Sequence, residues 1–508
     1  MAEPSKLRPS CSILVALLIC VGLILRSYNF WGPPIWVDEY GTWWVIAADT
    51  WSEVIERTLK IQGQSPFYYL LVRGVTELAG YGAFQLRLLS VVFGIATLAL
   101  VYPLATKIFD SRRVALLSVA IFALSEPLIW YSQIARPYAL ALFFSLVSFW
   151  SFVSLQQAET KSVRIIYAFS TALTIYAHYL FGSIVVIQAI YMIARSGYRR
   201  MFSIRWLATF LSMALLLYPA IQNFLYLHSR RRALDWVSSL DSSWKIAGGI
   251  IYILGGAPPI AIIATILTVA VVGFNWAKLK RTEIRSQLTL PILWYVLPFI
   301  LFLIVPILVG VNLLQPRYLL FAYPATFFLL AWLMLNVRAS GYRRWLPATV
   351  FAIATVITVF IPALNNTQTF ARWPNRAWSD ALAKLAQLYK ADGIVVGQIG
   401  LVEADLLADN RYDPMLFSYL SWPLVTAVPM LSEQNIAILP YRLTDGTQIY
   451  FSSLLDRAIK HPRIWLVGGG EVLSLFQERL MRSANFNVTL RTDHGEAFHV
   501  ILLERTTL

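Results

Sequence analysis

Trp36-Val37-Asp38-Glu39-Tyr40 sets two carboxylates among aromatic side chains, shortly after an apolar run from Ser12 to Leu25 and the residues Trp31, Pro33 and Pro34. A long apolar run followed by Trp and Pro is how a chain leaves a bilayer through its interfacial zone, so the acidic pair is expected at a membrane surface. Between Trp43 and Leu59, the residues Trp43, Trp44, Ile46, Ala47, Trp51, Val54 and Ile55 recur at roughly helical spacing, with Asp49, Glu53, Glu56 and Arg57 interleaved. That pattern fits a helix lying in the interface plane rather than crossing it. The plainer alternative is a solvated loop that its acids keep wet.

Composition extends the membrane reading to most of the chain. With 508 residues, 58 % hydrophobic and 14 % charged, and a mean hydropathy of +0.62, too much apolar surface exists for a water-soluble protein with one core. The net charge of +15 is unevenly placed. From Asn365 onward stand 13 of the 42 basic and 14 of the 27 acidic residues, so the excess lies in the apolar part. Cytoplasmic loop anchoring explains it better than phosphate-backbone binding, and no nucleic-acid partner is expected. Cys11 and Cys20, nine residues apart on one helix, are about 13 Å apart by helical rise, beyond disulfide reach.

Lys6 and Arg8 precede the first run, which resembles a signal sequence without a small-residue cleavage site before Arg26. It reads as a retained anchor with a cytoplasmic N-terminus. Ser65-Pro66-Phe67-Tyr68-Tyr69-Leu70 opens a stretch that dips into the bilayer without an obvious crossing. Further spans are expected near 86–108, 113–131, 137–155, 163–180, 182–194, 203–220, 247–274, 288–311, 317–336 and 343–363, about eleven crossings in all. The alternate turns hold Lys107, Arg112 and Arg113; Lys161 and Arg164; Arg195, Arg199, Arg200 and Arg205; Lys278, Lys280, Arg281 and Arg285; and Arg338, Arg343 and Arg344. This is the positive-inside pattern for those turns. An odd number of spans then puts residues 365–508 outside, with Asp38. The intervening turns are poor in Lys and Arg except at Arg230-Arg231-Arg232.

The tail is of another kind. Ala377 to Leu388 reads as an amphipathic helix, Gly393 to Gly397 and Arg463 to Val467 as buried strands, Glu471 to Met481 as a helix and Asn487 to Leu490 as a strand. Strands alternating with helices over about 140 residues predict an extracytoplasmic α/β domain. The expected division is therefore 1–364, transmembrane with an outer loop 26–85, and 365–508, α/β. Gly468-Gly469-Gly470 reads either as a tight turn or as a phosphate loop, the glycine fingerprint of the latter being incomplete.

These residues carry a resemblance. Trp36-x-Asp38-Glu39, Ser65-Pro66-Phe67-Tyr68-Tyr69-Leu70-Leu71, Arg87-Leu88-Leu89-Ser90, Tyr131-Ser132-Gln133-Ile134-Ala135-Arg136-Pro137-Tyr138 and Pro316-Arg317-Tyr318 follow one another. In that order, on one membrane face, they resemble the polytopic GT-C glycosyltransferases. The likeness is nearest to the protein-mannosyltransferase and aminoarabinose-transferase branch with its bacterial relatives, and it covers roughly the first 365 residues. Two departures stand out: many relatives have His-Pro-Pro at Gln64-Ser65-Pro66, and often a Glu at Ile134.

The resemblance implies an integral protein of a bacterial inner or plasma membrane. It would move a sugar from a polyprenyl phosphate to a glycan, lipid or protein acceptor on the outer face, with inversion and no cofactor. One base suffices, because a neutralised lipid phosphate leaves without protonation, unlike the leaving group of glycoside hydrolysis. Asp38 matches that base and Glu39 is its catalytic neighbour, better placed to orient a ligand or an Arg, since adjacent helical side chains diverge. Arg136, Arg317, His178 and Arg87 fall to the donor phosphate. Tyr68, Tyr138, Tyr318 and Arg231 fall to acceptor or lipid contact.

Each role has a plainer rival. Arg136 and Arg317 stand at span ends, where guanidiniums fork onto phosphate but also snorkel to headgroups or pair with Asp38 or Glu126. His178 could serve as an ordinary interfacial hydrogen-bonding residue, and anionic lipid headgroups explain Arg230 to Arg232 nearly as well as a glycan phosphate does. No metal-ligand cluster is evident. Among other function classes, a transporter or flippase of a lipid-linked sugar would also need many spans and basic sites. Transporters, however, favour repeated halves and mid-membrane charges, which this sequence lacks. A non-catalytic scaffold would leave the acidic loop without a purpose.

Overall fold

The chain folds as two units in a computed structural model that describes residues 9–28, 30–32, 34–229, 282–309, 316–336, 376–408, 413–494 and 498–505. One unit comprises Met1–Phe30 and Gln64–Ala371, the other Trp31–Gly63 and Arg372–Leu508. The protein is mostly helical, with its sheet near the C-terminus.

In the first unit, apolar composition over 18 or more residues yields five helices able to cross a membrane: Ala83–Phe109, Tyr138–Gln157, Tyr179–Ser196, Ile204–Leu225 and Arg317–Asn336. Counting one bent pair as a span makes six among the described residues. The runs expected at 247–274 and 343–363 lie outside those residues. The span expected at 113–131 is that pair, Arg112–Leu124 and Glu126–Gln133, meeting at 54°. Pro127 favours the break: it has no amide to give the Ala123 carbonyl one turn back, and its ring crowds that oxygen. Ser125 is accordingly extended, at φ −68 and ψ 112. The carbonyls freed at the end of Arg112–Leu124 are taken by Arg26, whose Nη1 donates to Ala123 O at 3.1 Å and Nη2 to Phe122 O at 2.9 Å. In return, Gln133 Nε2 donates to the carbonyls of Leu25, Arg26 and Tyr28 at 3.1, 3.2 and 3.1 Å, closing the end of the first helix. Each helix end is thus satisfied by a side chain of the other segment, as buried carbonyls in an apolar medium require.

A second buried polar set ties the Tyr138–Gln157, Lys161–Ala177 and Ser183–Ser196 helices together. Tyr167 Oη donates to Gln188 Oε1 at 2.9 Å, Gln188 Nε2 to Ser148 Oγ at 3.0 Å, and Ser148 and Thr171 share a 2.7 Å bond. Polar side chains join apolar helices where hydrophobicity alone cannot select partners.

The second unit holds a five-stranded sheet in the order β2-β1-β3-β5-β4. Its strands are β1 Ile394–Gln398, β2 Ile436–Ile438, β3 Arg463–Gly468, β4 Phe486–His494 and β5 Phe498–Arg505. β1 pairs parallel with β2 and β3, and β5 pairs antiparallel with β3 and β4. On one face, alternate residues Ile394, Val396, Ile464, Leu466, Ile501 and Leu503 pack with Phe451 and Phe476 of the Asp445–Ala458 and Glu471–Ser483 helices. On the other, Tyr389 after the Arg376–Leu388 helix lies 6.4 Å from Trp465, and Leu424 of the Pro414–Ala427 helix faces Gly397. The result is the expected α/β sheet with helices on both faces.

Gly468-Gly469-Gly470 is a turn. Gly468 and Gly470 have φ of +127 and +106, open to glycine and costly for other residues, and a Cβ on Gly468 would come 2.3 Å from Gln398 O. The amide end of the following helix is closed from within: Gln398 Oε1 accepts Leu473 N–H at 3.0 Å.

Candidate active site

Asp38 and Glu39 lie in the first turn of the helix Val37–Ile46, not in the loop before it. Their environments differ. Glu39 is fully buried and its Oε2 accepts the Trp36 amide at 3.0 Å, the reach-back bond that starts a helix. Burial, and after it the Glu39 charge, push the neighbouring Tyr40 phenol up to about 12. Asp38 is half-buried on the same turn. The short helix that follows, Trp51–Arg57, is capped by Thr50, whose Oγ1 accepts Glu53 N–H at 3.1 Å.

Five of the residues singled out in the sequence gather in the first unit. His178 is extended, at φ −158 and ψ 114, in the break between Lys161–Ala177 and the 3-10 turn Tyr179–Gly182, so the helix expected to reach 180 stops at Ala177. Its ring lies 5.5 Å from that of Tyr138 and 5.8 Å from that of Tyr318. Arg136 and Arg317 both act on it electrostatically. Arg136 occupies the turn after Glu126–Gln133, its carbonyl accepting Ser90 Oγ–H at 3.2 Å. Arg317 opens the 3-10 turn Pro316–Ala322, with its guanidinium 5.1 Å from the Tyr318 ring centre. Among the described residues, His178 Nδ1 is buried and has no hydrogen-bond partner. The cluster therefore offers two cations, a neutral imidazole and two phenol rings around one place, a combination suited to an oxyanion that brings an apolar group with it.

Burial, then the charges of Arg136 and Arg317, hold the His178 imidazole down at about 3. The folded state therefore favours neutral imidazole, whereas the unfolded chain takes up a proton near the ordinary value of about 6.5. Stability from this residue is complete above about pH 6.5 and falls as pH drops toward 3, at about 1.4 kcal/mol per unit, or about 2 kcal/mol by pH 5. His178→Gln cannot titrate, so its melting temperature in detergent should vary less between pH 7 and 5 than that of the wild type. Parallel pH dependences would remove His178 as the source.

Arg87 and Tyr68 also belong to the first unit. Arg87 is fully buried on Ala83–Phe109, one turn before Ser90, and donates to Phe30 O at 2.8 Å, fastening the chain just beyond the first helix. Tyr68, 1 % exposed, packs edge-on against Tyr69 at 5.5 Å on the Phe67–Ala79 helix. Arg231 lies outside the described residues. Among the described residues, no three His, Cys, Asp or Glu side chains form a group that could hold a metal ion.

Sequence reasoning missed Arg26, read only as the end of an apolar run, and Gln133, quoted in a motif without a role. Gln133 sits three residues before Arg136 and fixes the turn that carries it. Gln133→Leu keeps the volume but strands buried carbonyls, so about 1–3 kcal/mol of stability should be lost. A thermal melt in detergent checks it, and a wild-type melt would deny the bond its weight.

Residues 63–222 match the family described as dolichyl-phosphate-mannose-protein mannosyltransferase, a stretch that contains Arg87, Arg136, Tyr138 and His178 but neither Asp38 nor Arg317. The fold is similar to ArnT from Cupriavidus metallidurans bound to undecaprenyl phosphate, at 13 % identity over 97 % of each chain and a TM-score of 0.55. Apo ArnT gives 14 % identity, 97 % and 98 % coverage and a TM-score of 0.58. The archaeal oligosaccharyltransferase AglB from Archaeoglobus fulgidus, in complex with an inhibitory peptide and a dolichol-phosphate, gives 11 % identity, 90 % and 69 % coverage and a TM-score of 0.53. No curated protein matches by sequence. The GT-C resemblance drawn from the motifs is thus met by the matching family and by the fold.

Proposed function

We propose that this GT-C-like protein is a glycosyltransferase that moves a sugar from a polyprenyl phosphate to an acceptor hydroxyl or amine outside the cytoplasm. The observation that carries the reading is the gathering of the His178 ring with those of Tyr138 and Tyr318, with the Arg317 guanidinium over Tyr318 and Arg136 two residues before Tyr138. ArnT and AglB, which share its fold, were seen with undecaprenyl phosphate and a dolichol-phosphate, ligands of the same chemistry.

In the proposed reaction the acceptor attacks the anomeric carbon from the face opposite the phosphate, and the bond from that carbon to the phosphate oxygen breaks. The electron pair goes to the polyprenyl phosphate, whose growing charge Arg136 and Arg317 stabilise through forked hydrogen bonds. The acceptor proton goes to Asp38, so the anomeric configuration inverts. Glu39 holds the start of the helix that carries Asp38. The basic turns support a reading with the N-terminus in the cytoplasm, residues from Asn365 outside and about eleven crossings.

Incubating the purified protein with radiolabelled polyprenyl-phosphate sugars and candidate acceptors tests the proposal. Release of lipid phosphate together with labelled acceptor is expected. Donor binding without release from any sugar, coupled to movement of the lipid across a vesicle, would replace the enzyme with a transporter.

A further inference from the structure

Trp44 stands six residues after Asp38 on the helix Val37–Ile46, about 9 Å further along its axis. It is 1 % exposed, an unusual depth for an indole on so short a helix. Its Nε1 donates to Ser418 Oγ at 3.2 Å and its ring lies 5.3 Å from that of Tyr419, both on Pro414–Ala427. The Arg57 guanidinium lies 4.7 Å from the Trp44 ring centre, and Arg57 Nη1 donates to the Trp44 carbonyl at 2.5 Å. Arg57 is itself fixed by Glu53, at 2.9 Å from Nε to Oε1. The indole is therefore gripped along its edge and ring by residues of one unit.

The supporting helix is anchored in turn. Asp413 Oδ1 accepts the amides of Met415 and Leu416 at 2.9 and 3.3 Å, and Leu420 and Leu424 are fully buried. Leu424 meets Gly397 on β1. The Pro414–Ala427 helix thus joins β1, through Leu424, to Trp44, through Tyr419 and Ser418, and Trp44 shares one helix with Asp38. A helix of ten residues does not hold itself in water, so its direction comes from such contacts.

We infer that the C-terminal α/β domain positions the carboxylate of Asp38, with Trp44, Ser418 and Tyr419 as positioning residues. This rests on Asp38 being the base. A base displaced by about 1 Å loses rate by about 10²-fold, whereas donor binding draws on Arg136, Arg317 and His178, all residues of the other unit. The domain then acts on the rate of proton removal through the helix that carries Asp38.

The test uses the full-length protein in detergent. Trp44→Ala should lower kcat about 10- to 100-fold with the affinity for polyprenyl phosphate unchanged, and Trp44→Phe, which keeps the ring, should recover most of the rate. On an Asp38→Asn background, Trp44→Ala should cost nothing further, because the group it positions is already disabled. Should Trp44→Ala fail to fold, Ser418→Ala combined with Tyr419→Leu serves instead, with the same kcat loss expected. A folded variant of either kind with wild-type kcat overturns the inference, as does an equal Trp44→Ala loss on both backgrounds. If Asp38→Asn itself transfers at the wild-type rate, the base assignment has failed instead, and the two failures are told apart.

Discussion

Asp38→Asn should transfer sugar roughly 10²- to 10⁴-fold more slowly than the wild type while binding the polyprenyl-phosphate donor with the same affinity. The amide keeps the size and hydrogen-bonding reach of the carboxylate but cannot accept the acceptor's proton. The two carboxylates separate cleanly by environment. Glu39 is fully buried and bonded to the Trp36 amide, and its charge is not required for that bond, since a glutamine carbonyl accepts it too. Glu39→Gln should therefore cost less than tenfold in rate, and Glu39→Ala should cost about 0.5–2 kcal/mol of stability through the lost helix start. Transfer rate and donor binding measured for the variants in one detergent decide the matter. A larger loss at Glu39→Gln than at Asp38→Asn would exchange their roles, and wild-type rates in both would remove this helix from the chemistry.

Arg317→Ala should weaken polyprenyl phosphate binding by about 10- to 150-fold, the value of a charged hydrogen bond of about 1.5–3 kcal/mol. Arg317→Lys should fall between the two: it keeps the charge but gives up the planar fork and the stacking that the guanidinium makes on Tyr318. Arg136→Ala should act in the same direction, and both should flatten the salt dependence of binding, because each removes a cation from the phosphate's surroundings. Titration of the lipid phosphate into detergent-solubilised protein gives the affinities. Wild-type affinity in both alanine variants would return the two arginines to headgroup anchoring. A loss for Arg317→Ala alone would leave Arg136 as an electrostatic neighbour of His178 and nothing more.

Much of this site could be read from the sequence because its signals are local. Arg136-Pro137-Tyr138, Pro316-Arg317-Tyr318 and Tyr176-Ala177-His178-Tyr179 each put a polar group at the end of an apolar run, and span ends gather where runs alternate. The tail's α/β character was legible for the same reason, since β1 and β3 are short, mostly apolar runs beside amphipathic helices. β2 escaped because three residues carry no period. Pro414–Ala427 escaped because Pro423 and an almost uniformly apolar surface hide its helical repeat. What could not be read are pairings across long separations in sequence. Trp44 finds Ser418 across 374 residues, Gln133 finds Leu25 across 108, and Gln398 finds Leu473 across 75. Gly468-Gly469-Gly470 is the turn that its incomplete glycine fingerprint favoured over a phosphate loop, and the side chain that closes it comes from Gln398.

Arg26 has a further meaning in time. Its carbonyl partners on Phe122 and Ala123 lie 96 and 97 residues downstream. At about 5–20 residues per second of synthesis, they leave the ribosome roughly 5–20 seconds after Arg26 does. Until then the guanidinium lacks the Phe122 and Ala123 carbonyls that it holds in the folded protein, and burying it in an apolar medium without them is costly. The helix that carries Arg26 and the bent pair therefore complete one another, since each has carbonyls that only a side chain of the other satisfies.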